Sequence, residues 1–223
     1  PIQSDLIEKA ATTEQGVLIF GENGTGKELI ARIIHSRSTR SNGNFIAMNC
    51  ALSGEILETE FQTKMEAASN GTIFFEEINE LPLHLQAKLV QSYSTVRIIA
   101  STSVNLQEAV SEKLFRSDVY AKISFVSMNI PALRDRVEQI PMLVRAYIEK
   151  YNKLTGSNVS SAASAEALDA FTSYTWPGNV RELENAVEHF YNIEPVEIAV
   201  KLMGSEDNQP SNTKLFKRSG CNC

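Results

Sequence analysis

Along the first two-thirds of the chain, short apolar runs alternate with longer stretches of helical period. The runs are Val17-Leu18-Ile19-Phe20, Phe45-Ile46-Ala47-Met48, Thr72-Ile73-Phe74-Phe75, Val96-Arg97-Ile98-Ile99-Ala100 and Ile123 to Met128. Near-continuous apolar runs predict strands buried on both faces, as in a parallel sheet with helices packed on each side. Lys27 to Ser36 and Leu83 to Tyr93 fit amphipathic helices. After Pro131 the strand pattern stops. Arg136 to Leu154, Ala163 to Tyr174 and Asn179 to Tyr191 read as helices, and Pro177-Gly178 separates the second from the third. Beyond Ile198 the chain turns polar. The expected organisation is an α/β unit over 1–134, a helical unit over 135–200 and a disordered tail over 201–223.

Composition narrows the class. With 223 residues, 43% hydrophobic and 22% charged, the chain suits one large domain, or one with a small satellite, that needs no disulfides. No apolar run approaches the ~18 residues that a membrane span requires. Pro1 to Ala11 lacks the basic start and apolar core of a secretion signal, so a cytoplasmic setting is expected. The chain opens on Pro1 rather than Met, which suits a piece of a longer protein. Three cysteines, Cys50, Cys221 and Cys223, fit a reducing compartment. A net charge of −6 argues against a broad basic face for nucleic acid. The one basic cluster, Lys214, Lys217 and Arg218, reads as a solvated tail.

The chemistry concentrates in two segments. Gly21-Glu22-Asn23-Gly24-Thr25-Gly26-Lys27-Glu28 follows an expected strand and opens an expected helix. Glycines there let backbone N–H groups curl inward around a phosphate, and the helix N-terminus adds its positive end. Lys27 would reach the β- and γ-phosphates. The segment matches G-x-x-x-x-G-K-S/T except at the last position, where Glu28 replaces the hydroxyl that helps hold Mg²⁺. The second segment, Ile73-Phe74-Phe75-Glu76-Glu77, is an apolar strand ending in two carboxylates about fifty residues after Lys27. Glu76 is the candidate Mg²⁺ support and Glu77 the candidate group to polarise attacking water. This strand is expected to lie beside the phosphate-loop strand.

These motifs, taken in order, resemble the central AAA+ domain of sigma-54-dependent bacterial transcription activators. Residues 21–28 (GENGTGKE) are similar to that family's GESGTGKE, and Gly71 to Pro82 (GTIFFEEINELP) to its GTLFLDEIGELP. Phe45 to Cys50 resembles F-x-x-x-N-C, and Phe115-Arg116 with Tyr120 fits F-R-x-D-L-Y-Y-R-L. Pro131 to Arg136 (PALRDR) fits PPLRER, and Trp176 to Leu183 (WPGNVREL) reproduces the family motif in full. The resemblance covers about residues 5 to 192. It implies an AAA+ P-loop fold, with a parallel five-stranded sheet flanked by helices and an all-α lid, that binds ATP or ADP with Mg²⁺ and assembles as a ring. It implies that Asn49 couples Glu77 to nucleotide state, that Arg116 reaches into a neighbour's site, and that Arg181 senses the γ-phosphate.

The departures from the family are concentrated in the catalytic parts. Glu76 replaces Asp, Ser103 stands where the family has Asn, Lys122 stands where a second arginine is expected, and Ser117 replaces an acid. Lysine keeps the charge of arginine and loses its fork. The stretch from Glu60 to Gly71 leaves no room for the G-A-F-T-G-A loop that grips sigma-54, and Gln91 to Thr95 replaces a family hairpin. No helix-turn-helix follows Tyr191, so no DNA-binding element is expected in this chain. The reading is an ATP-binding regulatory module with weak or lost hydrolysis, in which nucleotide sets conformation or assembly. Contacts with RNA polymerase or a sigma factor would run through other surfaces. The competing readings are an active motor, which the missing loops oppose, and a nucleotide-independent scaffold, which the intact phosphate loop opposes.

Overall fold

The computed structural model describes residues 4–52, 54–91, 95–156 and 165–193. The polar tail with its basic cluster, Cys221 and Cys223, and the Ser92-Tyr93-Ser94 junction lie outside the described residues. In chain order the elements are α1 (Ser4–Thr12), β1 (Val17–Phe20), α2 (Lys27–Ser36), β2 (Phe45–Asn49), α3 (Gly54–Ala67), β3 (Thr72–Glu76), α4 (Leu83–Gln91), β4 (Arg97–Thr102), α5 (Leu106–Ser111), α6 (Ser117–Ile123), β5 (Val126–Asn129), α7 (Ile140–Thr155), α8 (Ala165–Ser173) and α9 (Asn179–Ile193). Short 3-10 turns cover Ile78–Glu80, Leu133–Asp135 and Val137–Gln139.

The five strands form one sheet in the order β2-β3-β4-β1-β5, and every neighbouring pair is parallel. Alternation along each strand sends side chains to two apolar layers. Ile73, Phe75, Ile98 and Ala100 join one cluster with Leu57 and Phe61 of α3, Leu85 and Leu89 of α4, and Val119 of α6. Phe74, Ile99, Val17 and Ile19 join the other with Ile7 of α1 and Ile30 and Ile34 of α2. Both faces of the sheet are therefore covered, as the unbroken apolar runs require.

The structure corrects two expectations. The carboxylate strand β3 is not beside the phosphate-loop strand β1, because β4 lies between them. The fifth strand is Val126–Asn129, not Ile123 to Met128. Ile123 ends α6, where it is buried on the same helical face as Val119, four residues earlier. Apolar content alone did not distinguish a helix end from a strand start.

By contact density the chain divides into two compact units, Pro1–Gln139 with Thr175–Ala186 and Ile140–Tyr174 with Val187–Cys223. In the second unit α7 buries Ile140, Val144, Ile148 and Tyr151, which recur at helical spacing, and the Tyr151 hydroxyl donates to Glu188 at 3.1 Å. The first unit holds the whole sheet, and its loops at the carboxyl ends of the strands carry the chemistry described next. Residues 68–71 are all that separates α3 from β3.

Candidate functional site

The phosphate loop leaves β1 at Phe20 and enters α2 at Lys27. Gly24 and Gly26 hold φ of 78° and 95°, a left-handed region that L side chains rarely adopt. A Cβ on Gly24 would lie 2.2 Å from the Gly178 carbonyl oxygen, so the returning segment 175–186 packs where a side chain would be. A Cβ on Gly26 would meet nothing within 4 Å, which leaves the mouth of the loop open. Gly26 caps α2 with no side-chain hydrogen bond, so the first-turn N–H groups of this helix face that mouth without a side-chain partner at the cap.

Lys27 is buried, at 6% exposure. Its ammonium donates to the Gly21 carbonyl at 2.7 Å and, more loosely, to the Glu22 carbonyl at 3.3 Å and Asn23 Oδ1 at 3.4 Å. It also forms an ion pair with Glu77 Oε1 at 2.9 Å. The other Glu77 oxygen accepts from the Ser103 hydroxyl at 2.6 Å and the Ser103 N–H at 3.0 Å. Burial pushes the Glu77 carboxyl up, but Ser103 and the Lys27 ammonium together outweigh it and hold the group below its ordinary value. Glu77 itself has φ of 51°, a left-handed conformation that costs a non-glycine residue about 1–3 kcal/mol. The strand order explains this cluster: β4 lies beside β3 and delivers Ser103, just past its carboxyl end, to the Glu77 oxygen that Lys27 does not face.

The remaining candidate residues fall into two groups. Glu76 ends β3 half-buried, with its carbonyl accepting from Cys50 N–H at 2.9 Å and its carboxylate 3.9 Å from Arg181. Arg181 is exposed, and its backbone N–H donates to the Gly24 carbonyl at 3.2 Å. Thr25 gives its hydroxyl proton to the Glu22 carbonyl at 2.8 Å. These groups converge on the loop. Others are bonded elsewhere. Glu28 pairs with Arg32 at 2.7 Å on the outside of α2. Asn49 Oδ1 accepts from Ala51 N–H at 2.8 Å. Arg116, just before α6, forks onto Asp118 with contacts of 3.0 and 2.7 Å, and Lys122 donates to the Val90 carbonyl at 3.2 Å.

Three residues that sequence reasoning quoted but gave no role also touch the loop. Asn179 is fully buried and donates from Nδ2 to Glu22 Oε2 at 3.1 Å and to the Asn23 carbonyl at 3.0 Å. Arg134 forks onto the Glu22 carboxylate, and Arg136 donates to the Thr25 carbonyl at 2.8 Å. The fork from Arg134, with the Asn179 amide, lowers the Glu22 carboxyl to about 2. Their positions in PALRDR and WPGNVREL were the available signal.

A family model for the sigma-54 interaction domain matches residues 3–129. The chain belongs to the sigma-54 interaction domain family. A second model, an AAA+ ATPase lid domain, matches residues 134–214. A Nif-specific regulatory protein of Bradyrhizobium diazoefficiens is 38% identical over 84% of this chain and 38% of its own length. The DNA-binding transcriptional regulator NtrC of Rhizobium meliloti is 34% identical over 88% of this chain and 46% of its own. The chain thus spans less than half the length of these two relatives. A solved structure of NtrX from Brucella abortus in complex with ATP superposes with a TM-score of 0.75 and 29% identity, covering 92% of this chain and 52% of that one. This sigma-54 interaction domain therefore has the AAA+ P-loop fold of transcriptional regulators. Among its described residues no helix is long and apolar enough to cross a membrane.

Proposed function

We propose that this domain binds ATP or ADP at the Lys27 loop and uses occupancy to set conformation or assembly in a bacterial transcription regulator, with weak or lost hydrolysis. The observation that carries the reading is the buried Lys27 ammonium inside a glycine loop whose mouth is open at Gly26. The ATP bound by NtrX, at 29% identity and with the same fold, supports it. In this reading phosphate oxygens replace the loop carbonyls as partners of Lys27, and Arg181 meets the terminal phosphate. The donor set suits Mg²⁺ less well. Glu76 is the protein carboxylate that would hold the ion, which would neutralise phosphate charge. Glu28, in the place of the usual hydroxyl, is turned to Arg32.

Weak turnover follows from the carboxylate. To polarise water, Glu77 needs an oxygen free, and here Ser103 takes one and Lys27 faces the other. Short connections support a reading in which the sigma-54-gripping loop is missing. Residues 68–71 join α3 to β3, and the 222 positions aligned with the Nif-specific regulator exceed the 84% of this chain that they use. Output would then pass through other surfaces, and ring assembly would place Arg116 at a neighbour's site.

Titration with labelled ATP and Mg²⁺ tests the core of this reading. Saturable binding is expected; none at millimolar nucleotide would leave only a scaffold. Steady-state phosphate release should stay near background at all protein concentrations. Vigorous release that rises with concentration would refute weak turnover and favour a motor. Sizing with and without nucleotide tests assembly, and an unchanged monomer would remove the ring.

A further inference from the structure

We propose that Asn179 is a positioning residue that sets the shape of the phosphate loop from its outer side, with Arg136 as its companion. This rests on the reading that the loop binds nucleotide. The carbonyls of three successive loop residues are each tied by a donor from a later part of the chain. Asn23 accepts from the Asn179 amide at 3.0 Å, Gly24 from the Arg181 N–H at 3.2 Å and Thr25 from the Arg136 guanidinium at 2.8 Å. A trans peptide is planar, so its carbonyl oxygen and the following N–H point to opposite sides. Tying the oxygens of Asn23 and Thr25 outward therefore aims the N–H groups of Gly24 and Gly26 inward. The intervening Thr25 N–H is held within the loop by a long 3.4 Å bond to the Glu22 carbonyl.

Asparagine suits this post for three reasons. It tolerates φ of 56°. Its Oδ1 accepts from the Leu133 N–H at 2.8 Å, which fixes the amide's orientation. Both hydrogens of Nδ2 are then used on the loop, one on the Asn23 carbonyl and one on Glu22 Oε2 at 3.1 Å. Aspartate has the same shape, keeps the Leu133 bond and loses both donors. It would also set a carboxylate against Glu22. Glycine would keep the backbone conformation and remove the amide altogether.

The test is binding of labelled ATP to the whole chain, alongside the melting temperature without nucleotide. Asn179→Asp should raise Kd by about tenfold or more, as expected for two lost hydrogen bonds, and should also lower the nucleotide-free melting temperature, because it buries a carboxylate against Glu22. If that variant does not fold, Asn179→Gly carries the same expectation for Kd. Adding Glu22→Gln to Asn179→Asp reverses the polarity of the pair and should recover part of the affinity. No recovery would overturn the role given to the Glu22 contact. A lower melting temperature with unchanged Kd would make Asn179 a structural residue and overturn the inference, as would wild-type affinity in both single variants. Failure of the unaltered chain to bind nucleotide would overturn the nucleotide reading as well, so the two failures are separable.

Discussion

The two ends of the sheet each bury a cation and treat it differently. At the carboxyl end, Lys27 has several partners, all on loops: the Gly21 carbonyl, the Glu77 carboxylate and weaker oxygens at 22 and 23. At the amino end, Arg97 opens β4 at 1% exposure, donates from Nη2 to the Ala10 carbonyl, and among the described residues has no hydrogen-bond partner for Nε or Nη1. Burial lowers the pKa of that guanidinium, against the pull of Glu14. Around it, Arg40 ties Glu14 to the Gly71 and Thr95 carbonyls, and His35 meets Thr72 at 2.9 Å. In the proposed reading the loop-held cation exchanges its loop carbonyls for phosphate oxygens. The strand-held one is buried against the Ala10 carbonyl of α1, away from the phosphate loop, so its consequences should be confined to stability.

The largest expected effect separates these two cations. Lys27→Ala should weaken ATP binding by at least about a hundredfold, because charge-assisted bonds to phosphate have no substitute at that position. Arg97→Met should leave the ATP affinity unchanged. If Arg97→Met also abolished binding in the labelled-ATP titration, the contrast between the ends would collapse.

Next in size is the stability of the Arg97 variant itself. Replacing a poorly satisfied buried charge by an apolar side chain of similar length is often neutral or stabilising. Arg97→Met loses the bond to the Ala10 carbonyl but removes two buried nitrogens, Nε and Nη1, that are unmatched among the described residues. Urea unfolding should give a free energy unchanged or raised by up to about 2 kcal/mol. A loss larger than that would show that the guanidinium is better satisfied in solution than its contacts indicate.

How much of this contrast the sequence disclosed follows from what each end is made of. The phosphate loop was legible because its function dictates residue types in one contiguous stretch, with glycine where φ is positive and lysine at the helix start. The strands were legible because both faces are buried. The Ser103–Glu77–Lys27 cluster was not, since its geometry depends on strand order, and β4 between β3 and β1 cannot be read from local pattern. The bracing by Asn179 and Arg136 joins residues 156 and 111 positions apart from their loop partners, so no local period reveals it. The amino-end cluster was missed for another reason: Arg97 sits inside an apolar run, where its charge reads as an interruption of a strand rather than as a buried group.

A smaller effect distinguishes the ends by pH. Burial lowers the His35 pKa below its ordinary 6.5, with Arg97 and Arg32 acting in the same direction and a hydrogen bond from the ring to the Gly43 backbone opposing. As pH falls through 6.5 the unfolded chain takes up this proton before the folded chain does, so stability should decline with acidification and level off once below the folded value. Urea midpoints measured from pH 7.5 down to about 5 should show this decline, and His35→Phe should flatten it. An equally steep decline in that variant would assign the proton to another group.

The smallest expected effect lies at the carboxyl end, in a lower pH window. Glu22 is lowered to about 2 by the Arg134 fork and then the Asn179 amide, against an ordinary value of 4.5. Its folded pKa is depressed, so its stabilisation is present above 4.5 and is lost as pH falls from there toward about 2. The Arg134–Glu22 pair is solvent-exposed, so its contribution to stability is screened and small. The carboxyl shift is the better readout. Titrated by NMR, Glu22 should ionise far below the usual range. Arg134→Ala should raise it only part of the way to 4.5, because the buried Asn179 amide still donates at 3.1 Å. Added salt should act on the Arg134 share and spare the Asn179 share, since only the former is exposed. A Glu22 that titrates at its ordinary value in the unaltered protein would mean that the outer brace does not close in solution, and the phosphate loop would then have to hold its shape through Lys27 and the glycines alone.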